Sequence, residues 1–208
     1  FFVVHTWGMN FFGLSFEPQV EEVLLRLERE GEDGSFWNVP RSSAVLLHSL
    51  VVLKGAGLDR PISVLEIGTS NGYSGLYLAH ATGQNGGKLY TVESHSERFG
   101  LAQQNFAEAG LDSSIVQIKG HAPEVLDEID PSLFFDFVFI DATKVEYEQY
   151  IPALLPRLNE GALIVADNIL SHWDDLRGFV EGVRARGDME SFLLDFDNGL
   201  LLMSIRHF

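Results

Sequence analysis

Two apolar runs end on groups that can hold a cation or move a proton. FVFIDATK (137 to 144) closes on Asp141 with Lys144 three residues later, and ALIVADNIL (162 to 170) sets Asp167 and Asn168 between apolar flanks. Carboxylates brought together at neighbouring strand ends repel and raise a pKa unless a cation lies between them. Two Asp and one Asn supply hard oxygen ligands in a number that suits Mg²⁺, with water or substrate oxygens completing its octahedron. Asp and Asn also favour helix N-caps, which is the plainer reading of that dipeptide by itself; Asp141 at the matching rim favours the metal. Lys144 opens an expected helix, where a cation opposes the macrodipole. Beside a divalent ion and partly desolvated, its ammonium would lose pKa and become a candidate general base for a hydroxyl. A lone lysine would read as a solvated surface residue.

VLEIGTSNGYSG (64 to 75) reads as strand, glycine turn and helix. Gly68 and Gly72 let backbone pass close to a ligand, and the opening helix offers free N–H groups. Glu93 stands twenty-one residues beyond Gly72, at the end of the next strand, where an acid accepts hydrogen bonds from both ribose hydroxyls of an adenosine ligand. Ser70 interrupts the G-x-G-x-x-G spacing, which counts against a dinucleotide. Glu66, just before the turn, suits a cationic or amino group; S-adenosylmethionine carries both. The glycines alone also fit an ordinary tight turn.

Elements that can carry these residues follow from periodicity. Helices are expected at about 17 to 31, with Val20, Val23, Leu24 and Leu27 on one face, and at 41 to 56. β-rich runs then appear at 62 to 68, 88 to 94, 114 to 120, 135 to 141 and 162 to 168, separated by helical stretches at 73 to 82, 96 to 109, 122 to 129, 144 to 157 and 172 to 186. Such alternation implies right-handed βαβ units and a parallel sheet covered on both faces. ESFLLDF and LLLMSIRHF flank Asn198-Gly199, a strong hairpin signal, so the sheet should end in an antiparallel pair. The fold class is therefore α/β, a Rossmann-like, doubly wound, mostly parallel seven-stranded sheet with a C-terminal antiparallel hairpin. One domain over 1–208 is expected, with a helical and aromatic extension at 1–57 and a cofactor-binding core at 58–208.

Composition narrows the partners. Among 208 residues there are 14 Lys and Arg against 30 Asp and Glu, a net charge of −16 that repels phosphate backbones and makes nucleic acid an unexpected partner. Cysteine is absent, which excludes disulfides, thiolate metal sites and a Cys nucleophile. The opening FFVVHTWGMNFFGLSF lacks a leading cation and is broken by His5, Asn10 and glycines, so neither signal peptide nor membrane span fits, and a cytoplasmic protein is expected. Its first residue, Phe rather than Met, suggests a missing beginning. Phe11, Phe12 and Phe16 are expected to cover core or a partner subunit.

Together these motifs resemble the metal-dependent O-methyltransferases of the catechol and caffeoyl-CoA type, class I enzymes that use S-adenosylmethionine. NVPRSSAVLL, VLEIGTSNGYSGLYLA, TVESHSERFGLAQQNFAEAGL, FIDATKVEYEQY and ADNILSHW stand in the family's order from about Asn38 onward, closest to small bacterial and archaeal members. The resemblance implies that Asp141, Asp167 and Asn168 bind the metal and that Lys144 is the base, with Asp141 also at the reacting centre and beside the cofactor. It implies that Glu93 holds the ribose, that Gly68, Ser70 and Ser74 line the methionine part, and that Val39 adds backbone contacts, with lesser weight on Glu66 and Tyr73. His121, followed by Ala122, stands where many relatives carry Asp near the adenine. Ala142 and Thr143 are smaller than the aromatic residues of catechol-specific members.

The implied reaction is methyl transfer to a catechol-like or phenolic hydroxyl, in a homodimer. A tRNA-modifying relative, a non-catalytic cofactor-binding module and a nucleotide-dependent oxidoreductase are the competing readings. They are opposed respectively by the acidic charge, by the co-occurrence of Asp141, Lys144, Asp167 and Asn168, and by the incomplete glycine motif.

Overall fold

The computed structural model describes residues 13–206. Two helices, α1 (Pro18–Glu32) and α2 (Arg41–Ala56), precede an alternating series: β1 (Ser63–Ile67), α3 (Tyr73–Gly83), β2 (Lys88–Glu93), α4 (Ser96–Glu108), β3 (Ile115–Lys119), β4 (Phe135–Ile140), α5 (Tyr147–Leu154), β5 (Leu158–Ala166) and α6 (Trp173–Ala185). The chain closes with β6 (Met189–Leu194) and β7 (Leu200–Ile205). The seven-stranded sheet runs β3-β2-β1-β4-β5-β7-β6, and only β7 lies antiparallel to its neighbours β5 and β6. The expected class and terminal hairpin are those observed.

Side-chain alternation explains the two cores. Val64, Phe137, Phe139 and Val165 face α1 to α4, whereas Leu65, Ile67, Val138 and Ile140 face α5 and α6. On α1, Val20, Val23, Leu24 and Leu27 form the buried stripe their spacing predicts. Strand β4 is buried along its whole length, so its one acid needs partners: Arg60 donates to both Asp136 oxygens at 2.9 and 2.7 Å, joined by Ser63 N–H and the Asn159 amide, each at 2.9 Å. Burial pushes the Asp136 carboxyl up, but these donors outweigh it and hold the group below its ordinary value.

Two expected helices differ from the structure. The segment 122 to 129 forms only a short 3₁₀ turn, Glu124–Asp127, because Pro123 and Pro131 leave too few residues between them for a stable α-helix. Across 144 to 157, a 3₁₀ turn at Lys144–Glu146 leads into α5, which gives way to Leu155–Arg157 where Pro156 removes a donor. Strand β5 starts at Leu158, earlier than expected, with a register irregularity opposite Phe135 and Phe137; the polar LNEG sequence hides it. Phe16 packs against the core in edge contact with Tyr77, His48 and His80. Phe11 and Phe12 lie outside the described residues, and no described helix is long and apolar enough to cross a membrane.

Candidate active site

The parallel register brings three strand ends to one rim. Gly68 N–H donates to the Val92 carbonyl, Asp141 N–H to that of Ile67 and Asp167 N–H to that of Ile140, each at 3.0 Å. These bonds extend the β2-β1-β4-β5 ladder one residue past the sheet and leave Gly68, Asp141 and Asp167 side by side. Above them opens a cavity of about 800 Å³, walled by the 34–39 loop, the turn after β1 and the loops after β4 and β5. That is where ligands sit in an open α/β sheet.

At the glycine turn the backbone is held by its neighbours. Gly68 has φ +104°, and a Cβ there would stand 2.0 Å from the Asp141 carbonyl oxygen, so only glycine fits. Ser70, also at positive φ (50°), donates its N–H to Glu93 at 2.9 Å, while His95 N–H donates to the other Glu93 oxygen at 2.7 Å. The Glu93 carboxylate is thereby fixed at the cavity wall. Val39, Gly68, Ser70, Glu93, His121 and Ala122 all line the cavity.

Glu66, Tyr73 and Ser74 stand behind it. Glu66 is fully buried and accepts bonds from the Ser74 and Thr91 hydroxyls, both at 2.6 Å. Burial pushes its carboxyl up to about 7 against the lowering effect of those hydroxyls. Tyr73 directs its hydroxyl away, donating to Glu28 on α1 at 2.8 Å, so the structure brings neither its ring nor its hydroxyl to the cavity; the packing of α3 on α1 decides its direction. His121 bridges two acids, with Nδ1 2.8 Å from Glu124 and Nε2 3.1 Å from Glu146; the Glu124 bond chiefly raises its pKa.

At the other end, Asp141 accepts from Lys144 Nζ at 2.7 Å, and the same ammonium lies 3.2 Å from the Tyr147 hydroxyl and 5.3 Å from its ring centre. Asp167 is fully buried, and neither of its carboxylate oxygens has a hydrogen-bond partner. Burial, with Asp141 close by, pushes this carboxyl up to about 7. Helix α6 begins only at Trp173, with His172 at its N-cap position and no side-chain capping bond, so Asp167 and Asn168 do not cap it. Asn168 lines the cavity in the left-handed region at φ 64°. Among the described residues no three His, Asp or Glu side chains gather as a metal cluster; a cation here would rest on two carboxylates and an amide oxygen. The pair of orphaned, buried Asp167 oxygens fits that role, because an unpaired buried carboxylate is otherwise costly.

Sequence reasoning missed several contributors. Tyr147 grips Lys144 from three residues on, a helical spacing that could have found it. Trp37, 94% exposed at the rim, Arg98 and Asn198 also border the cavity; Asn198 read only as half of a turn.

Comparison with known proteins agrees with the geometry. Residues 17–198 match the family model described as O-methyltransferase. The chain is 37% identical over 117 residues to a catechol O-methyltransferase of Niastella koreensis, covering 55% of this chain and 52% of that protein, so it spans about half the length of that relative. The O-methyltransferase TomG of Streptomyces achromogenes, involved in tomaymycin synthesis and solved with S-adenosylmethionine, superposes with a TM-score of 0.76 at 25% identity, over 93% of this chain and 92% of that one. An O-methyltransferase from Bacillus cereus, solved with S-adenosylhomocysteine, has the same fold at a TM-score of 0.78 and 24% identity, over 93% of each chain.

Proposed function

The chain belongs to the O-methyltransferase family, and from that premise we propose that it moves the methyl group of S-adenosylmethionine to a hydroxyl of a small catechol-like phenol, with a divalent cation, Mg²⁺ foremost, held by Asp141, Asp167 and Asn168. The observation that carries this reading is the fully buried Asp167 carboxylate, with both oxygens unpartnered, at the same rim as Asp141 and Lys144. When bound there, the cation supplies Lewis acidity toward an acceptor hydroxyl.

The chain's own residues do the rest. Glu93, locked by the Ser70 and His95 N–H groups, accepts bonds from the ribose hydroxyls. Gly68 lets the cofactor approach bare backbone. Lys144 Nζ, steered by Asp141 and the Tyr147 hydroxyl, takes the proton from the acceptor hydroxyl in its neutral amine form and becomes the ammonium. The acceptor oxygen then displaces sulfur at the methyl carbon: a C–O bond forms, the C–S bond breaks and its electron pair stays on sulfur. Holding the two reactants in line supplies much of the acceleration as an orientation effect. A homodimer in the cytoplasm belongs to the same reading; a monomeric mass by light scattering would remove the dimer.

Titration calorimetry tests the whole. S-adenosylmethionine and its demethylated product should bind with or without metal, and a simple catechol should bind with Mg²⁺ and be released by a chelator. Catechol binding that ignores the chelator would overturn the metal assignment, and absent cofactor binding would overturn the reaction.

A further inference from the structure

The hairpin turn between β6 and β7 joins the two loops that wall the acceptor end of the cavity. On one side, Asp197 accepts hydrogen bonds from the Ser42 and Ser43 hydroxyls at 2.5 and 2.7 Å. Both serines lie in the first turn of α2, directly after the loop containing Trp37, Asn38 and Val39 that borders the cavity. An acid there also suits the helix dipole. Ser43 is fully buried, so Asp197 supplies the acceptor its hydroxyl needs.

On the other side the same turn holds the loop that carries Asn168. The Asn198 carbonyl accepts from Leu170 N–H at 2.9 Å and Ser171 N–H at 3.1 Å, and the Gly199 carbonyl accepts from Ile169 N–H at 3.0 Å. Three successive amides after Asn168 therefore hang on two residues of the turn. The fit is close: a Cβ at Gly199 would stand 2.4 Å from Leu170 Cγ and 2.6 Å from its nitrogen. Two non-glycine residues, Asn168 (φ 64°) and Asp197 (φ 50°), sit in the left-handed region at the ends of this connection, a conformation that Asn and Asp adopt more readily than other side chains.

We propose that Asp197 is a positioning residue: through Ser42 and Ser43 it ties the 34–40 loop to the hairpin turn, and through that turn to Asn168, so that the two walls of the acceptor site hold one relative placement. The effect on catalysis rests on the function proposed above, whereas the strut itself does not.

Hydrogen exchange on the whole protein separates the two. Replacing the serines together, Ser42→Ala with Ser43→Ala, leaves the hairpin sequence untouched and should still speed exchange of the Ile169, Leu170 and Ser171 amides several-fold. Asp197→Ala should do the same, whereas Asp197→Asn, which keeps an acceptor oxygen and tolerates positive φ, should restore protection. Unchanged exchange at 169–171 in the serine double variant would overturn the strut. In turnover with a catechol, Asp197→Ala should raise the acceptor KM about tenfold while kcat changes less than threefold; a fall in kcat at constant KM would overturn the role in acceptor placement. If wild-type protein methylates no catechol, the function proposed above fails, and the exchange result still decides the strut.

Discussion

At the scale of single residues, the proposed reaction makes separate demands on Lys144 and Asp167. Lys144→Ala should leave cofactor affinity within about twofold, because no atom of Lys144 holds the glycine turn or Glu93, while kcat falls by ~10² to 10⁴, the span of a well-placed general base. Calorimetry beside steady-state kinetics checks this, and near-wild-type turnover would remove Lys144 from the reaction. Asp167 makes an opposite demand on stability. A buried carboxylate with no donor opposes folding unless a cation is present, so Asp167→Asn should raise the Tm of chelator-treated protein by a few degrees, at ~2 to 4 °C per kcal/mol for a chain of this size. The same variant should lose any thermal stabilisation by Mg²⁺. A lower Tm in chelator would show that the carboxylate has a partner there after all.

At the scale of elements, the turn after β1 is constrained by contact rather than by composition. Gly68→Ala would drive a Cβ against the Asp141 carbonyl and impose φ +104° on an L side chain, so cofactor binding should be lost together with a few kcal/mol of stability, ~1 to 3 from the backbone conformation alone. Gly86 has positive φ (+73°) but open space around it, and Gly86→Ala should cost only ~1 to 2 kcal/mol with cofactor affinity intact. Urea midpoints for the pair distinguish contact from conformation; equal losses would sink the argument from contact. The sequence signals that survive into the fold are those with a short-range cause. Strand ends at Asp141 and Asp167 were legible because a buried strand cannot easily stop on an acid without reason, and the hairpin was legible from Asn198-Gly199. What stayed hidden was set by distant packing: Tyr73 turns to Glu28 across 45 residues of chain, and Asp197 meets Ser42 across 155 residues. No local period encodes such contacts.

At the scale of the whole molecule, two buried titratable groups on opposite trends shape how stability follows pH. Glu66 has a folded value of about 7, raised by burial from an ordinary 4.5. The folded state therefore binds its proton more tightly than the unfolded chain, and this contribution is full below about 4.5 and lost as pH rises through 7. His48, packed under Phe16 with Nε2 3.0 Å from His80 Nδ1, is lowered by burial and then by His80 from 6.5 to about 4. Here the unfolded chain binds the proton more tightly, so stability is full above 6.5 and falls as pH drops toward 4. Each group spans a window worth ~3 kcal/mol at most, at 1.36 kcal/mol per unit, and between about 4.5 and 6.5 their slopes oppose. Asp167, whose carboxyl is likewise pushed up to about 7 in the metal-free protein, adds a slope of the same sign as Glu66, so the contributions of Glu66 and His48 are read as differences from wild type. Relative to wild type, Glu66→Gln should tilt the curve toward greater stability as pH goes up, whereas His48→Gln should tilt it toward lower stability over the same range. Comparing denaturant unfolding of the three proteins at pH 4.5, 5.5 and 6.5 cancels every other titrating group, since those are common to all. Parallel curves would show that neither burial penalty acts on folding; tilts of opposite sign from wild type would show that the buried Glu66 carboxyl and the His48–His80 pair beneath Phe16 pull stability in opposite directions across this range.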